Sequence, residues 1–276
     1  MRTTNRQTGS TLTAVLFALA ILVLVAYVVV IFASRQYAAP APITSNARDI
    51  DHQYRLTLCV IGILFIAAQL ALAIAVLLFR DRGQSARFLP GNIALEIVGA
   101  AAAVIIFLGL GFMGRKAWAA VRYTGPPTGS LQIEVTEMQF QFVFRYPGPD
   151  GKFGRIDPAL ISAATGDPLG IDPNSPEGRD DIITSGTLAV PVDQPIELLL
   201  RSQDVIHSFY VRELRLQQDA VPGMVIPVHF TPDKIGQYDI VCTQLCGLGH
   251  SKMHAVLNVM SETDYQEFLT QQAAAQ

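Results

Sequence analysis

Residues 242–254 read CTQLCGLGHSKMH, and the donors in this stretch decide how the rest of the chain is read. Cys242 and Cys246 stand four apart, His250 follows four further on, and Met253 three beyond that. Three chemistries compete: a disulfide, a zinc site and a copper site. A Cys242–Cys246 disulfide leaves His250 and Met253 without a task. A Cys2His2 zinc site takes both cysteines, His250, and either His207 or His254. Zinc gains little from a thioether, whereas Met253 is a soft donor suited to copper. A mononuclear blue-copper site takes one Cys, two His and a Met, which makes the second cysteine surplus. Two thiolates, two imidazoles (His250 and the upstream His207), one thioether and one backbone carbonyl suit two copper ions bridged by two sulfurs. Such a pair shares one electron with little geometric change, as fast electron transfer requires.

The surrounding chain has 276 residues, is 50% hydrophobic and carries a net charge of −3, too small to argue for a nucleic-acid partner. Its mean hydropathy is +0.34, and the apolar excess is concentrated in the first part. Three cysteines do not make a disulfide scaffold, and Cys59 lies inside an apolar run.

Three such runs, 11–33, 57–79 and 92–114, each exceed the roughly 18–20 apolar residues that a transmembrane helix needs. The first follows Arg2 and Arg6 like a signal peptide. Its apolar part is longer than a signal core of about 7–15 residues, so it reads as a retained anchor. The positive-inside rule does not orient the spans. With the amino terminus inside, Arg2, Arg6, Arg80, Arg82 and Arg87 fall inside, against Arg35, Arg48, Arg55, Arg115, Lys116 and Arg122 outside. The third run carries one charge, Glu96, and an intramembrane carboxylate is a functional candidate on cost grounds alone.

After YTGPPTGS (123–130) the pattern changes to short runs rich in Val, Ile, Phe and Tyr, bounded by Gly, Pro and Asp. About eight strands without intervening helices predict a β-sandwich or barrel. Residues 148–186 form a long loop region, read either as a docking surface or as solvated decoration. Its acids Asp167, Asp172, Glu177, Asp180 and Asp181 offer an attraction for a basic electron donor. SETDYQEFLTQQ predicts a short terminal helix with Ser261 as cap and Asp264 in the capping-box position. His229 and His254 read as ordinary strand residues, and His52 as solvated.

DVIHSFYV, QDAVPGM and CTQLCGLGHSKM together resemble subunit II of the haem–copper oxidases, the family that carries the dinuclear CuA centre. QFQFVFRYPGPDGKFG resembles that subunit's aromatic strand and turn, and LEIVGAAAA the start of its second membrane helix, so residues 55–272 are covered. The resemblance implies a membrane-anchored all-β protein, with transmembrane helices followed by a cupredoxin-like Greek-key barrel or sandwich. The divisions then fall at 1–54 (an extra anchor and outer loop), 55–124 (a helix hairpin) and 125–276 (the CuA domain).

Carried over by position, the resemblance makes His207, Cys242, Cys246, His250 and Met253 side-chain copper ligands, with Gln244 giving its backbone carbonyl. The family more often has Glu at that position, where it helps hold a magnesium ion at the interface with subunit I; Gln244 leaves that second metal open. Asp219 matches a position near the same interface, and Glu96 a glutamate at the mouth of a proton pathway. Phe140 and Phe142 stand where members usually carry Trp, and Phe140 takes the position at which electrons arrive from cytochrome c. The only tryptophan, Trp118, falls just after the third span, in the interfacial belt.

The implied partners are subunit I, other oxidase subunits, cytochrome c or a similar donor, and membrane lipid. The implied location is a bacterial cytoplasmic membrane, multi-pass, with the copper domain on the outer face. The nearest rival is the CuA subunit of a nitric oxide reductase. A quinol oxidase subunit would lack the ligands. Nitrous oxide reductase needs more histidines than the five here. A Sco-type copper chaperone uses Cys-x3-Cys and a remote His on a thioredoxin-like fold, and would leave His250 and Met253 idle.

Overall fold

The computed structural model describes residues 10–34, 38–80, 82, 88, 90–162 and 167–275. Arg2, Arg6, Arg35 and Arg87, used in the charge comparison above, lie outside these. The chain divides into two compact units, one of residues 1–38 and 52–114, the other of 39–51 and 115–276.

The first unit is helical. Among the described residues three helices are long and apolar enough to cross a membrane: α1 (Thr11–Ala33), α2 (Ser45–Leu78) and α3 (Ile93–Arg122). Ala18, Ile21 and Val25 of α1 pack with Ala73 of α2. Gln53 of α2 donates its amide to the Leu110 carbonyl of α3 at 3.2 Å. The side chain of Asn92 accepts from the N–H groups of Ala94 and Leu95, capping α3 where the sequence turns apolar. Most other side chains of these helices face outward, as lipid-facing helices require.

The second unit is a sandwich of two five-stranded sheets, confirming the cupredoxin-like all-β class. One sheet holds β1 (Leu131–Met138), β2 (Gln141–Tyr146), β3 (Ile182–Ser185), β5 (Ile196–Ser202) and β8 (Ile226–Phe230) in the order β3-β2-β1-β5-β8. The other holds β4 (Thr187–Pro191), β6 (His207–Val211), β7 (Leu216–Ala220), β9 (Gly236–Cys242) and β10 (His254–Met260) in the order β4-β10-β9-β6-β7. The pairs β1–β5 and β4–β10 run parallel and the rest antiparallel.

Alternation along the strands sets the core. Ile133 and Val135 of β1, Phe142 and Phe144 of β2, Leu198 and Leu200 of β5, and Phe209 and Val211 of β6 are all fully buried. Each such side chain contributes about 1.5–3 kcal/mol relative to exposure. Phe142 meets Phe209 edge-on at 6.3 Å, joining the two sheets. The helix α4 (Glu262–Ala274) starts as expected, with Ser261 Oγ accepting from the Asp264 N–H. It lays Tyr265 and Phe268 against Tyr146.

Among the described residues ten strands form where about eight were expected. β3 lies within the stretch read as loop, and β7 is the polar edge strand LQQDA. Described parts of that loop cover the outer face of β1 and β2. Leu169 packs on Met138 and Val143. Beside them Arg145 is buried between Glu134 at 2.9 Å and Asp181 at 3.5 Å, while Arg201 reaches Glu134 at 2.8 Å.

The loop acids are largely spent on this construction. Asp167 accepts from the N–H groups of Leu169, Gly170 and Ile171. Asp172 pairs with Arg155, Glu177 accepts from Ser175 Oγ, and Asp180 accepts from the Asp150 N–H. Asp181 is buried, and desolvation lifts its carboxyl above the usual range, so it forms no part of a donor-facing surface.

Candidate metal centre

The candidate donors converge at one end of the sandwich. β6 begins at His207 and β9 ends at Cys242, and Phe209 stands in register with Cys242, so the histidine arrives beside the first thiol. The segment between Cys242 and Met253 is closed by the Cys242 N–H, which donates to the Met253 carbonyl at 3.2 Å. Its base is fixed by the Thr243 N–H on the Ser208 carbonyl. A single 3-10 turn, His250–Lys252, brings His250 and Met253 back towards the thiols.

The geometry is two-sided. Cys242 Sγ and Cys246 Sγ lie 3.9 Å apart, twice the length of a disulfide bond, and both thiols are free. Cys242 Sγ has His207 Nδ1 at 3.9 Å and the Gln244 carbonyl at 3.2 Å. Cys246 Sγ has His250 Nδ1 at 3.5 Å and Met253 Sδ at 3.9 Å. Each sulfur therefore has its own imidazole and its own weak donor. Donor atoms of His207, Cys242 and Cys246 all fall within 4.8 Å of one another, and all three residues are buried. Two soft thiols, a thioether and two imidazoles match copper better than any hard cation.

Burial, then the neighbouring Cys242, pushes the Cys246 thiol up from 9.0 to about 11, so the metal-free site holds a proton that a bound metal must displace.

Residues outside the sequence motif hold the donors in place. Asp204 Oδ1 sits 2.7 Å from His207 Nε2, which fixes the proton there and turns Nδ1 towards Cys242. Burial works against the charge on Asp204, but hydrogen bonds from the Gln139 N–H and from His207 hold its carboxyl below the usual range. The Gln139 side chain donates to the Cys246 carbonyl at 2.6 Å. Sequence reasoning missed both residues. Asp204 at three before His207 was the available signal; Gln139 is more than 100 residues from Cys246 and gave none.

Phe140, in the turn between β1 and β2, leans over the donor loop and remains 38% exposed. A Cβ placed on Gly249 would come within 2.4 Å of its ring, so the loop needs glycine there to seat it. His229 and His254 lie on the strands β8 and β10, as expected. Glu96 lies in the first turn of α3, in the other unit. Trp118 is exposed on α3 with the Arg122 guanidinium 5.2 Å from its ring.

A cupredoxin-like sandwich with paired cysteine donors, preceded in the chain by apolar helices, defines a membrane-anchored copper protein. Residues 177–260 match the cytochrome C oxidase subunit II, periplasmic domain, family. Over 236 residues the chain is 36% identical to the alternative cytochrome c oxidase subunit 2 of Bradyrhizobium diazoefficiens, covering 84% of this chain and 83% of that one. It is 28% identical to cytochrome c oxidase subunit 2 of Thermostichus vulcanus, over 85% of this chain and 78% of that one. Among solved structures, the periplasmic domain of subunit II of cytochrome oxidase of Bradyrhizobium japonicum is similar, with 23% identity and a TM-score of 0.41, over 55% of this chain and 99% of that one. The chain belongs to the cytochrome c oxidase subunit II family, a copper-binding component of haem–copper terminal oxidases.

Proposed function

We propose that this chain is the electron-accepting subunit of a terminal oxidase, taking single electrons from cytochrome c and passing them to haem in subunit I. There oxygen would be reduced to water with proton translocation. The observation that carries this reading is the paired arrangement of one imidazole and one weak donor beside each of two thiols. His207, Cys242, Gln244 (through its carbonyl), Cys246, His250 and Met253 would hold a dinuclear CuA centre. When bound, that centre stores one electron shared between two coppers.

The protein's part is to hold the donors still and to keep water away. His207 and Met253 are buried, Asp204 fixes one imidazole, and Gln139 anchors the loop at Cys246. Donors held in one geometry need little reorganisation when charge changes. Phe140, half over the loop and half in solvent, is the side chain best placed to receive an electron from outside. It lacks an indole N–H, so its contact with a donor is apolar.

The three apolar helices would anchor the chain as a multi-pass protein of a bacterial cytoplasmic membrane, with the copper domain on the periplasmic face. Glu96 would open a proton path into subunit I. Gln244 offers a neutral amide where magnesium favours a carboxylate, so a magnesium ion at the interface would need its charged ligands from elsewhere.

The test uses the full chain in its oxidase complex. Reduced cytochrome c should deliver electrons to the parent and to Cys59→Ser, which alters only α2, at the same rate. Cys246→Ser should remove the copper absorption and the fast phase together. Equal reduction of all three would overturn the reading.

A further inference from the structure

The inward face of β1 carries Ile133 and Val135, and its next inward position carries Glu137. The Glu137 side chain is 0% exposed, and neither carboxylate oxygen has a hydrogen-bond partner. An apolar residue would avoid leaving polar atoms buried and unpaired, so the glutamate costs stability where it stands. Burial, and then the charge of Asp219 on β7, hold its carboxyl well above the usual carboxylate range. The centre described above makes no use of this residue.

Strand register relates Glu137 to the donors. It pairs with Phe142 of β2, whose ring meets Phe209, and Phe209 is in register with Cys242. The Gln203 N–H donates to the Glu137 carbonyl at 3.0 Å, and the next residue, Asp204, holds His207. Two residues beyond Glu137, Gln139 bonds the Cys246 carbonyl. The carboxyl thus lies at the copper end of the sandwich, linked to Cys242 through one aromatic pair.

The charges around it are few. Glu134, Arg145 and Arg201 belong to the opposite face of their sheet. On the inward face β2 presents Phe142, Phe144 and Tyr146, and β5 presents Leu198, Leu200 and Ser202. Asp219 acts from β7, and His207 is the titratable residue on the corresponding face of β6.

We propose that Glu137 is a proton-binding residue coupled to the electron occupancy of the neighbouring copper site. This rests on the copper reading above. One electron arrives from a reduced one-electron donor, which is oxidised. One solvent proton joins the Glu137 carboxylate, forming a single O–H bond, and leaves when the electron does. The sign is fixed by charge, since an added electron favours the neutral acid. The reduction potential should therefore fall as pH rises through the range in which Glu137 titrates.

The experiment compares the copper-loaded full chain in detergent with its Glu137→Gln variant. Reduction potential is followed against pH, and redox infrared difference spectra are taken in water and heavy water. The parent should show a pH-dependent potential and a carboxylic-acid carbonyl band that shifts in heavy water, both lost in the variant while the copper absorption stays unchanged. A variant that keeps the parent's pH dependence and band overturns the proposal. Carbon-13 glutamate in the parent locates the band without any substitution, and absence of a redox-linked glutamic acid band also overturns it. A parent with no copper absorption would instead defeat the copper reading itself.

Discussion

Asp204 Oδ1 and His207 Nε2 lie 2.7 Å apart, and this contact aims the other nitrogen of the imidazole at Cys242. A carboxylate behind a metal-binding histidine typically carries 10–100-fold of metal affinity. Asp204→Ala should therefore weaken copper binding by roughly that factor, while Asp204→Asn, which keeps an acceptor oxygen, should lose less. Competition with a copper chelator measures both, and equal affinity in all three proteins would remove Asp204 from the site.

The seat of Phe140 on Gly249 predicts an interaction that one substitution alone would not reveal. Gly249→Ala drives a methyl group into the ring and should cost about 1–3 kcal/mol by overpacking. Adding Phe140→Ala should recover most of that loss, a coupling readable in a double-mutant cycle of denaturant midpoints. Additive effects would show that the ring does not rest on the loop.

Arg145 is buried against Glu134 and Asp181, and its guanidinium also donates to the Gly154 carbonyl at 2.9 Å. Arg145→Met leaves buried Asp181 without its ion pair and Glu134 with Arg201 alone, and should destabilise the β unit by about 3–5 kcal/mol. Guanidinium unfolding followed by tyrosine fluorescence measures the change. A loss below 1 kcal/mol would mean that the loop opens to solvent around the pair.

How much of this was legible in the sequence depends on range. The candidate side-chain donors were readable because four of them sit within twelve residues, and DVIH supplied the fifth. Eight strands were readable because apolar side chains alternate with polar ones. β7 was not, since an edge strand exposes one face and LQQDA offers only Leu216 and Ala220 to the core. β3 was hidden because its four residues follow a loop rich in turn formers. Gln139, Asp181 and Glu137 depend on neighbours that only the fold supplies. Their types alone argued for surface positions.

The metal-free chain should be alkali-sensitive. The folded Cys246 thiol titrates near 11 rather than 9.0, and burial likewise raises Tyr146 and Tyr265. A raised acid favours the folded state while it is protonated. That contribution is fully present below pH 9 and is lost as pH rises through about 11. Copper loading removes the Cys246 proton, so loaded protein should lose less stability across the same window. Thermal midpoints between pH 8 and 11, with and without copper, test this; parallel curves would contradict it.

Two thiols, each with its own imidazole and weak donor, are proposed to hold a pair of coppers. The most direct measurement is the copper content of the purified full chain together with its electron paramagnetic resonance spectrum. Two coppers per chain, with one unpaired electron spread equally over both nuclei, is the predicted result. One copper with a single-nucleus spectrum, or one zinc and no copper signal, would contradict it.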